Sequence, residues 1–468
     1  LDRVENRAPV VTGRANPHVA VVGGGWAGCA AAVTLAKKGV RVTLFEQARS
    51  LGGRARRVAL SGIALDNGQH LLIGAYRCTL GLIERVHPAG SMPSLLHRLP
   101  LTMRPFGVAI AGRVGLQAWR LPAPLHLAGG MLTARGLDWP ERVALIADFR
   151  RLARADFRTP TAQTVAQCFA GTPLRAMAAI WEPLCISALN TPPESASAQV
   201  FANVLRLAFT GSARDSDFVI PATDLTSLFP DPAAQLVTRH GGDVRTGVAV
   251  RGIARRDGGV VLNLDGKSEP FAAAIVTVAP HQLATALGAD GAADDAWRMP
   301  LAQVEALTWE SITTIYLAYA DAVSLPLPIM RLDDAPGQWA FDRGAALPPT
   351  APEGARGLVA VVISTSGPHD TQDQSALADD ADSQLRRLAG RWPLPVWSRV
   401  IAERRATYAC TPGVARPAAG RVAPGLYLAG DYTDAELPAT LEAATRTGVA
   451  AARAFLEEHP EAASTPSR

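Results

Sequence analysis

Three short stretches of this 468-residue chain carry residue types and spacings that could do chemistry. Residues 18–47 read HVAVVGGGWAGCAAAVTLAKKGVRVTLFEQ, with glycines at 23, 25 and 28 and an acid at Glu46. Residues 66–70, Asp-Asn-Gly-Gln-His, set hydrogen-bonding side chains around a glycine immediately before the apolar Leu71-Leu72-Ile73. Far along the chain, Gly430-Asp431 precedes Pro438-Ala439-Thr440-Leu441. The first pattern suits a backbone that must approach phosphate. The second holds His70, a group that titrates near neutrality. The third sets a carboxylate on a turn ahead of a helix.

The first stretch reads as strand, glycine turn, helix and strand. Gly23 makes the tight turn, Gly25 lets a pyrophosphate come close to the backbone, and Gly28 lets helix and strand pack. Trp26 and Ala27 open the helix, whose free amides and dipole favour an anion. Cations at Lys37 and Lys38 and a stop at Gly39 end it. Glu46, followed by Gln47, closes the next strand, where a carboxylate can accept both hydroxyls of an adenosine ribose. These features together predict a dinucleotide site. Gly52-Gly53-Arg54 adds a second close approach, with a guanidinium to grip phosphate. Asn67-Gly68 between apolar runs is a hairpin signal, which makes 66–70 a turn before anything else.

Composition narrows the class. Hydrophobic residues are 48% and charged residues 19% of the chain, enough for a large core, and the length calls for two or three domains. The net charge of +4 is small and scattered, with lysine only at 37, 38 and 267, which speaks against a nucleic-acid partner. Five cysteines without a C-x-x-C spacing fit a reducing cytoplasm, and nine histidines without an H-x-x-x-H pair give no metal site. Residues 19–36 are apolar enough to raise a signal or membrane segment, but three adjacent glycines favour the strand and turn.

Glu46 followed by Gly-Gly-Arg, with strand–Gly-Asp–Pro–helix near the far end, resembles the FAD-dependent amine oxidase and phytoene desaturase superfamily. The resemblance covers residues 17–456. It implies an α/β fold, with a Rossmann-like FAD domain assembled from discontinuous segments and a mixed α+β substrate domain. The FAD pieces would be 17–99, 226–287 and 399–456. The substrate pieces would be 100–225, mainly helical, with Asp138 and Pro140 marking a helix start, and 288–398, sheet plus a helix around 370–391. Residues 237–266 read as a series of short strands, with Val250 in the one that would meet adenine, and Ile275–Val278 as a strand returning to the flavin sheet. The implied non-covalent FAD contacts are Gly23, Gly25, Trp26, Ala27, Gly28, Glu46, Gln47, Gly53, Arg54, Gly68, Val250, Gly430, Asp431, Ala439, Thr440 and Leu441. Cys410 lies where some amine oxidases link flavin, but its surroundings do not match that motif. One departure stands out: Glu442-Ala443-Ala444 replaces the superfamily's Glu-Gly-Ala, and the extra methyl would alter the flavin approach.

Within that superfamily, LDNGQHLLIGAYRCTL, the 181–201 block WEPLCISALNTPPESASAQVF, QWAFDRG and LPATLEAATRTG are similar to the hydroxysqualene dehydroxylases of bacterial hopanoid pathways. This implies reductive removal of an allylic hydroxyl from a C30 isoprenoid alcohol, with an electron donor still to be identified. Hydroxide leaves poorly and needs an acid. His70 is the expected proton donor, oriented by Asp66 or Gln69, with Glu182 and Tyr76 as weaker candidates. Trp339 and Phe341 would line the cavity and face the allylic cation. The apolar run over 95–137, from Leu95 to Leu132, is either core or a lip that admits lipid from the cell membrane's inner face. Substrate would then arrive there or by hand-off from the enzyme that makes it. The rivals are a carotenoid-type desaturase, an amine oxidase and a prenyl-binding escort protein. The ends, 1–16 and 457–468, are expected to be mobile tails.

Overall fold

A computed structural model describes residues 17–60, 63–107, 113–256, 258–320, 323–344 and 356–463. The central element is a six-stranded sheet built from distant parts of the chain. Its strand order is Asp243–Thr246, Arg41–Glu46, His18–Val22, Ala273–Val276, Leu426–Leu428 and Gly420–Ala423. All neighbours are parallel except the last pair. Both faces are covered, so Val19–Val22 and Ala273–Val276 read as unbroken apolar runs rather than alternating ones.

One covering layer is the alanine-rich helix Trp26–Ala36, which is buried almost all round. The final long helix, Leu441–Glu458, packs against it. A Cβ on Gly448 would stand 2.1 Å from the Ala27 carbonyl, so a glycine there permits the close crossing. A three-stranded antiparallel meander, Gly252–Arg256, Gly259–Leu264 and Lys267–Phe271, sits beside the sheet. The chain therefore enters the predicted nucleotide unit, leaves it twice and returns.

A second sheet of five antiparallel strands has the order Ile329–Arg331, Trp339–Asp342, Gly357–Ser364, Trp309–Tyr319 and Trp397–Tyr408. Its period-2 alternation divides the side chains cleanly. Ile315, Leu317, Ala340, Val359 and Val361 pack under the helix Gln374–Ala389, which falls inside the expected 370–391. Tyr316, Trp339, Phe341, Ala360 and Val362 point the other way, into the main core. Helices crowd the 125–209 region. The predicted capping at Asp138 is present: Asp138 accepts from the Glu141 amide at 2.9 Å and Glu141 answers the Asp138 amide at 2.8 Å.

Several local expectations need correction. Asn67-Gly68 is a bend, not a hairpin: Ile63–Asp66 pairs back with Arg57–Leu60, while Leu72–Ile73 pairs with Phe218–Pro221 in another sheet. The strand expected over 275–278 runs from Ala273 to Val276, which leaves Thr277 and Val278 outside it. Residues 237–239 end the helix Pro230–Arg239 instead of starting a strand. Val250 lies in the loop before Gly252, not in a strand. At the C-terminus, residues 457–463 complete the last helix and a 3-10 turn, whereas 1–16 and 464–468 lie outside the described residues. No helix among the described residues is long and apolar enough to cross a membrane, and residues 19–36 are the buried strand, turn and first helix.

Candidate active site

The edge of the parallel sheet opens into one continuous cavity of about 930 Å³. Its first limb is a cradle of backbone. Gly23 has φ +110°, and Gly28 could not carry a side chain because its Cβ would fall 1.9 Å from the Gly23 carbonyl oxygen. Gly25 is different. A Cβ there would meet only Gly53 Cα at 4.0 Å, so protein packing does not require this glycine, and the space it leaves faces the cavity. The first turn of Trp26–Ala36 has no side-chain cap and no acid, so its amides remain available to an anion.

Glu46 is held ready at the strand end. Its Oε2 accepts the Gly24 amide at 2.7 Å and its Oε1 accepts the Ala48 amide at 2.8 Å, which fixes the carboxylate at the rim. Gly53 at φ +61° brings the second glycine pair against Gly25. Arg54 was expected to grip phosphate, but its guanidinium donates to Asp431 Oδ2 at 2.6 Å and to the Ala406 carbonyl. This ion pair, partly open to solvent, joins the two expected cofactor motifs across 377 positions of sequence. Opposite, Thr440 caps the last helix by accepting the Ala443 amide at 3.1 Å, and Ala439, Thr440 and Leu441 line the wall. The whole limb fits a dinucleotide: open amides, a bare glycine at the point of closest approach and a fixed carboxylate.

Where the cradle ends, residues 67–70 form the wall. Gly68, Gln69 and His70 all line the cavity. The His70 Nδ1–H donates to the Gly68 carbonyl at 2.9 Å, since a carbonyl can only accept. That bond fixes the tautomer and makes Nε2 the nitrogen that can exchange a proton. Burial lowers the His70 pKa from its ordinary value, against a smaller raising effect of the Gly68 bond.

Neither expected orienting group touches His70. Asp66 is buried away from the cavity, where it accepts the Leu225 amide at 2.7 Å and faces Arg343 at 3.8 Å. Desolvation pushes its carboxyl up to about 6, although Arg343 pulls the other way. Gln69 donates instead to the Tyr316 hydroxyl at 2.6 Å, and that hydroxyl donates to the Asp66 carbonyl at 2.8 Å. Glu182 is not on the cavity wall; its charged neighbours are Glu194, Asp334 and Arg331. Tyr76 does line the cavity, beside Thr440, and burial raises its phenol.

Beyond His70 the second limb is apolar. Leu101, Leu184, Val204, Leu205, Phe209 and Phe218 surround it, with Trp339 and Phe341 projecting from one face of their strand. The Trp339 indole N–H donates to Ser187 Oγ at 3.0 Å, which holds the ring across the limb. Ser187 belongs to the 181–201 block, as does Phe201, another wall residue. Ala443 and Cys410 are buried and off the wall, so the extra methyl of Glu442-Ala443-Ala444 packs into protein, not toward the cofactor limb.

Sequence reasoning missed four supporting residues. Thr277 donates to the Val22 and Gly23 carbonyls, at 3.0 and 2.8 Å, and so locks the glycine turn. Glu442 accepts the Cys78 and Thr79 amides, capping the helix Arg77–Val86 from another part of the chain. Tyr316 buttresses Gln69, and Glu403 faces Asn67 at 3.4 Å. An acid in the first turn of the last helix was the one readable signal among them, but its partner amides lie 363 and 364 positions away.

This architecture defines a flavin-dependent oxidoreductase. Residues 26–456 match the flavin containing amine oxidoreductase family, and the chain belongs to it; its cofactor is FAD. The chain is 26% identical over 450 residues to a hydroxysqualene dehydroxylase of Rhodopseudomonas palustris, covering 93% of this chain and 97% of that one. It is 28% identical over 504 residues to a carotenoid phi-ring synthase of Streptomyces griseus, covering 97% and 92%. Among solved structures, an oxidoreductase from Methanosarcina mazei superposes with a TM-score of 0.71 at 14% identity, covering 94% of this chain and all of that one.

Proposed function

We propose that this enzyme reductively removes the hydroxyl of an allylic C30 isoprenoid alcohol, hydroxysqualene, to give squalene. The observation that carries this reading is the apolar limb that continues directly from the cofactor cradle past His70. A hydrocarbon chain needs such a wall, and water excluded from it cannot trap a carbocation. Likeness to a hydroxysqualene dehydroxylase over nearly the full length of both chains supports the same substrate class.

In this reaction the allylic C–O bond breaks, the oxygen leaves as water with one added proton, and a new C–H bond forms. FAD bound in the cradle would, in its reduced form, supply the hydride, and an external donor would have to reduce it again. Gly23, Gly25, Trp26, Glu46 and the Thr440–Leu441 helix end would hold the cofactor, with Asp431 kept in place by Arg54. His70 delivers the proton from Nε2, because Nδ1–H is committed to Gly68. A lowered pKa makes its imidazolium the stronger acid, which suits a poor leaving group. Trp339 and Phe341 present ring faces to the developing allylic cation.

The test is anaerobic. Reduced holoenzyme mixed with hydroxysqualene should reoxidise its flavin with formation of stoichiometric squalene. Flavin that stays reduced beside unchanged alcohol overturns the reading. A second reading, oxidation of a long polyene precursor, is favoured by the likeness to a carotenoid enzyme. It predicts the reverse: oxidised enzyme that is bleached by the precursor.

A further inference from the structure

We propose that the loop Trp119–Leu125 is a docking surface for an anionic phospholipid bilayer. The chain here makes a tied projection. The Trp119 amide donates to the His126 carbonyl at 2.9 Å, and the His126 amide donates to the Pro122 carbonyl at 3.2 Å. The loop closed by these bonds displays an apolar tip. Trp119 is 47% exposed, Leu121 38% and Leu125 58%, and Pro122 and Pro124 are exposed between them.

The helix Leu125–Leu132 divides its residues: Leu125 faces outward, while His126, Leu127 and Met131 are buried. Trp119 lies over this helix because Gly129 leaves room for its ring, and its indole N–H donates to Thr133 at 3.0 Å. An indole with an apolar body and a bonded N–H suits the headgroup boundary of a membrane. The neighbouring helix, Trp139–Arg154, packs against this one and carries Trp139, 63% exposed, at its start.

Charge selects the occupant. Arg120 in the tip and Arg135, which pairs with Gly115 at the base of the projection, are exposed and make no ion pair among the described residues. The nearby acids Asp138 and Glu141 are both engaged in the capping box. Exposed apolar groups beside arginines that form no ion pair among the described residues match anionic headgroups above acyl chains.

The surface also adjoins the substrate limb. The Ala118 amide donates to the carbonyl of Leu101, a wall residue, at 2.9 Å. His126 Nε2 lies 3.1 Å from Ser216 Oγ, on that wall, and its ring contacts Phe209. Bilayer docking at this loop would therefore set the limb's apolar end against lipid. That last step rests on the function proposed above; the docking itself does not.

The experiment is sedimentation of the yellow holoenzyme with phosphatidylcholine–phosphatidylglycerol vesicles. Wild type is expected to pellet with them and to partition less onto phosphatidylcholine alone. L121D/L125D should weaken partition on the order of tenfold, and R120E/R135E should remove the preference for anionic lipid, about fivefold per arginine. Both variants must retain the wild-type flavin spectrum, and L121D/L125D should turn over detergent-dispersed substrate as wild type does. Wild type left in the supernatant, variants that pellet equally, or a dimer that L121D/L125D splits would overturn the proposal. Vesicle binding by a protein that leaves hydroxysqualene unchanged would sink only the functional reading.

Discussion

Gly25 and Gly28, three positions apart in the same motif, have opposite duties, and substitution separates them. Gly25→Ala adds a methyl in open space. It should leave apoprotein stability within about 0.5 kcal/mol while weakening FAD on the order of tenfold, about 1.4 kcal/mol. Gly28→Ala puts a methyl into the Gly23 carbonyl. It should cost the apoprotein about 1–3 kcal/mol. Urea midpoints of the two apoproteins, with FAD titrations by fluorescence, read both effects.

His70 and Asp66 make distinct pH predictions. If His70 donates the proton, turnover falls as pH rises through a value below the ordinary 6.5 of histidine. His70→Gln should abolish that limb of the profile and lower kcat on the order of 100-fold with FAD still bound; near-normal turnover would remove His70 from the chemistry. Asp66 has a folded-state pKa raised to about 6 from 3.8. Its contribution to stability is thus full below about 4 and is lost as pH rises through about 6. Asp66→Asn should therefore compare better with wild type at pH 7 than at pH 4.5, as measured by urea midpoints.

Between elements, the Arg54–Asp431 pair makes the cofactor limb a joint product of the first and last quarters of the chain. Arg54→Met leaves Asp431 as an unpaired anion beside the proposed diphosphate site, and Asp431→Asn leaves an unpaired guanidinium. Each single change should weaken FAD, and the double variant should lose less than their sum, with a coupling of about 1–3 kcal/mol. Legibility in the sequence follows the same division. The strand–glycine–helix–strand unit could be read because its partners are neighbours and each glycine has a local steric reason. The bend at Asn67-Gly68 misled because a turn signal says nothing about which strands flank it; Leu72–Ile73 finds its partner near residue 219. The orienting role expected of Asp66 failed for a related reason. Strand alternation turns its carboxylate toward Leu225 and Arg343, and away from His70.

On the scale of the whole molecule, a ligand that bridges several chain segments should stabilise them as one unit. Saturating FAD at about 100 times its Kd should add about 2.7 kcal/mol and merge unfolding followed by flavin release with unfolding followed by circular dichroism. Separate transitions would mean that the substrate sheet and the cofactor sheet melt independently.

The ion pair spanning 377 positions also has a meaning for the protein's birth. A ribosome exposes the glycine fingerprint early, but Asp431 and the helix Leu441–Glu458 only near the end of the described chain. On the proposed FAD site, the nascent chain could not hold flavin until the residues through Leu441 have emerged. A message cut short upstream of residue 430 would yield a colourless product with an uncovered first helix, an obvious substrate for cellular proteases.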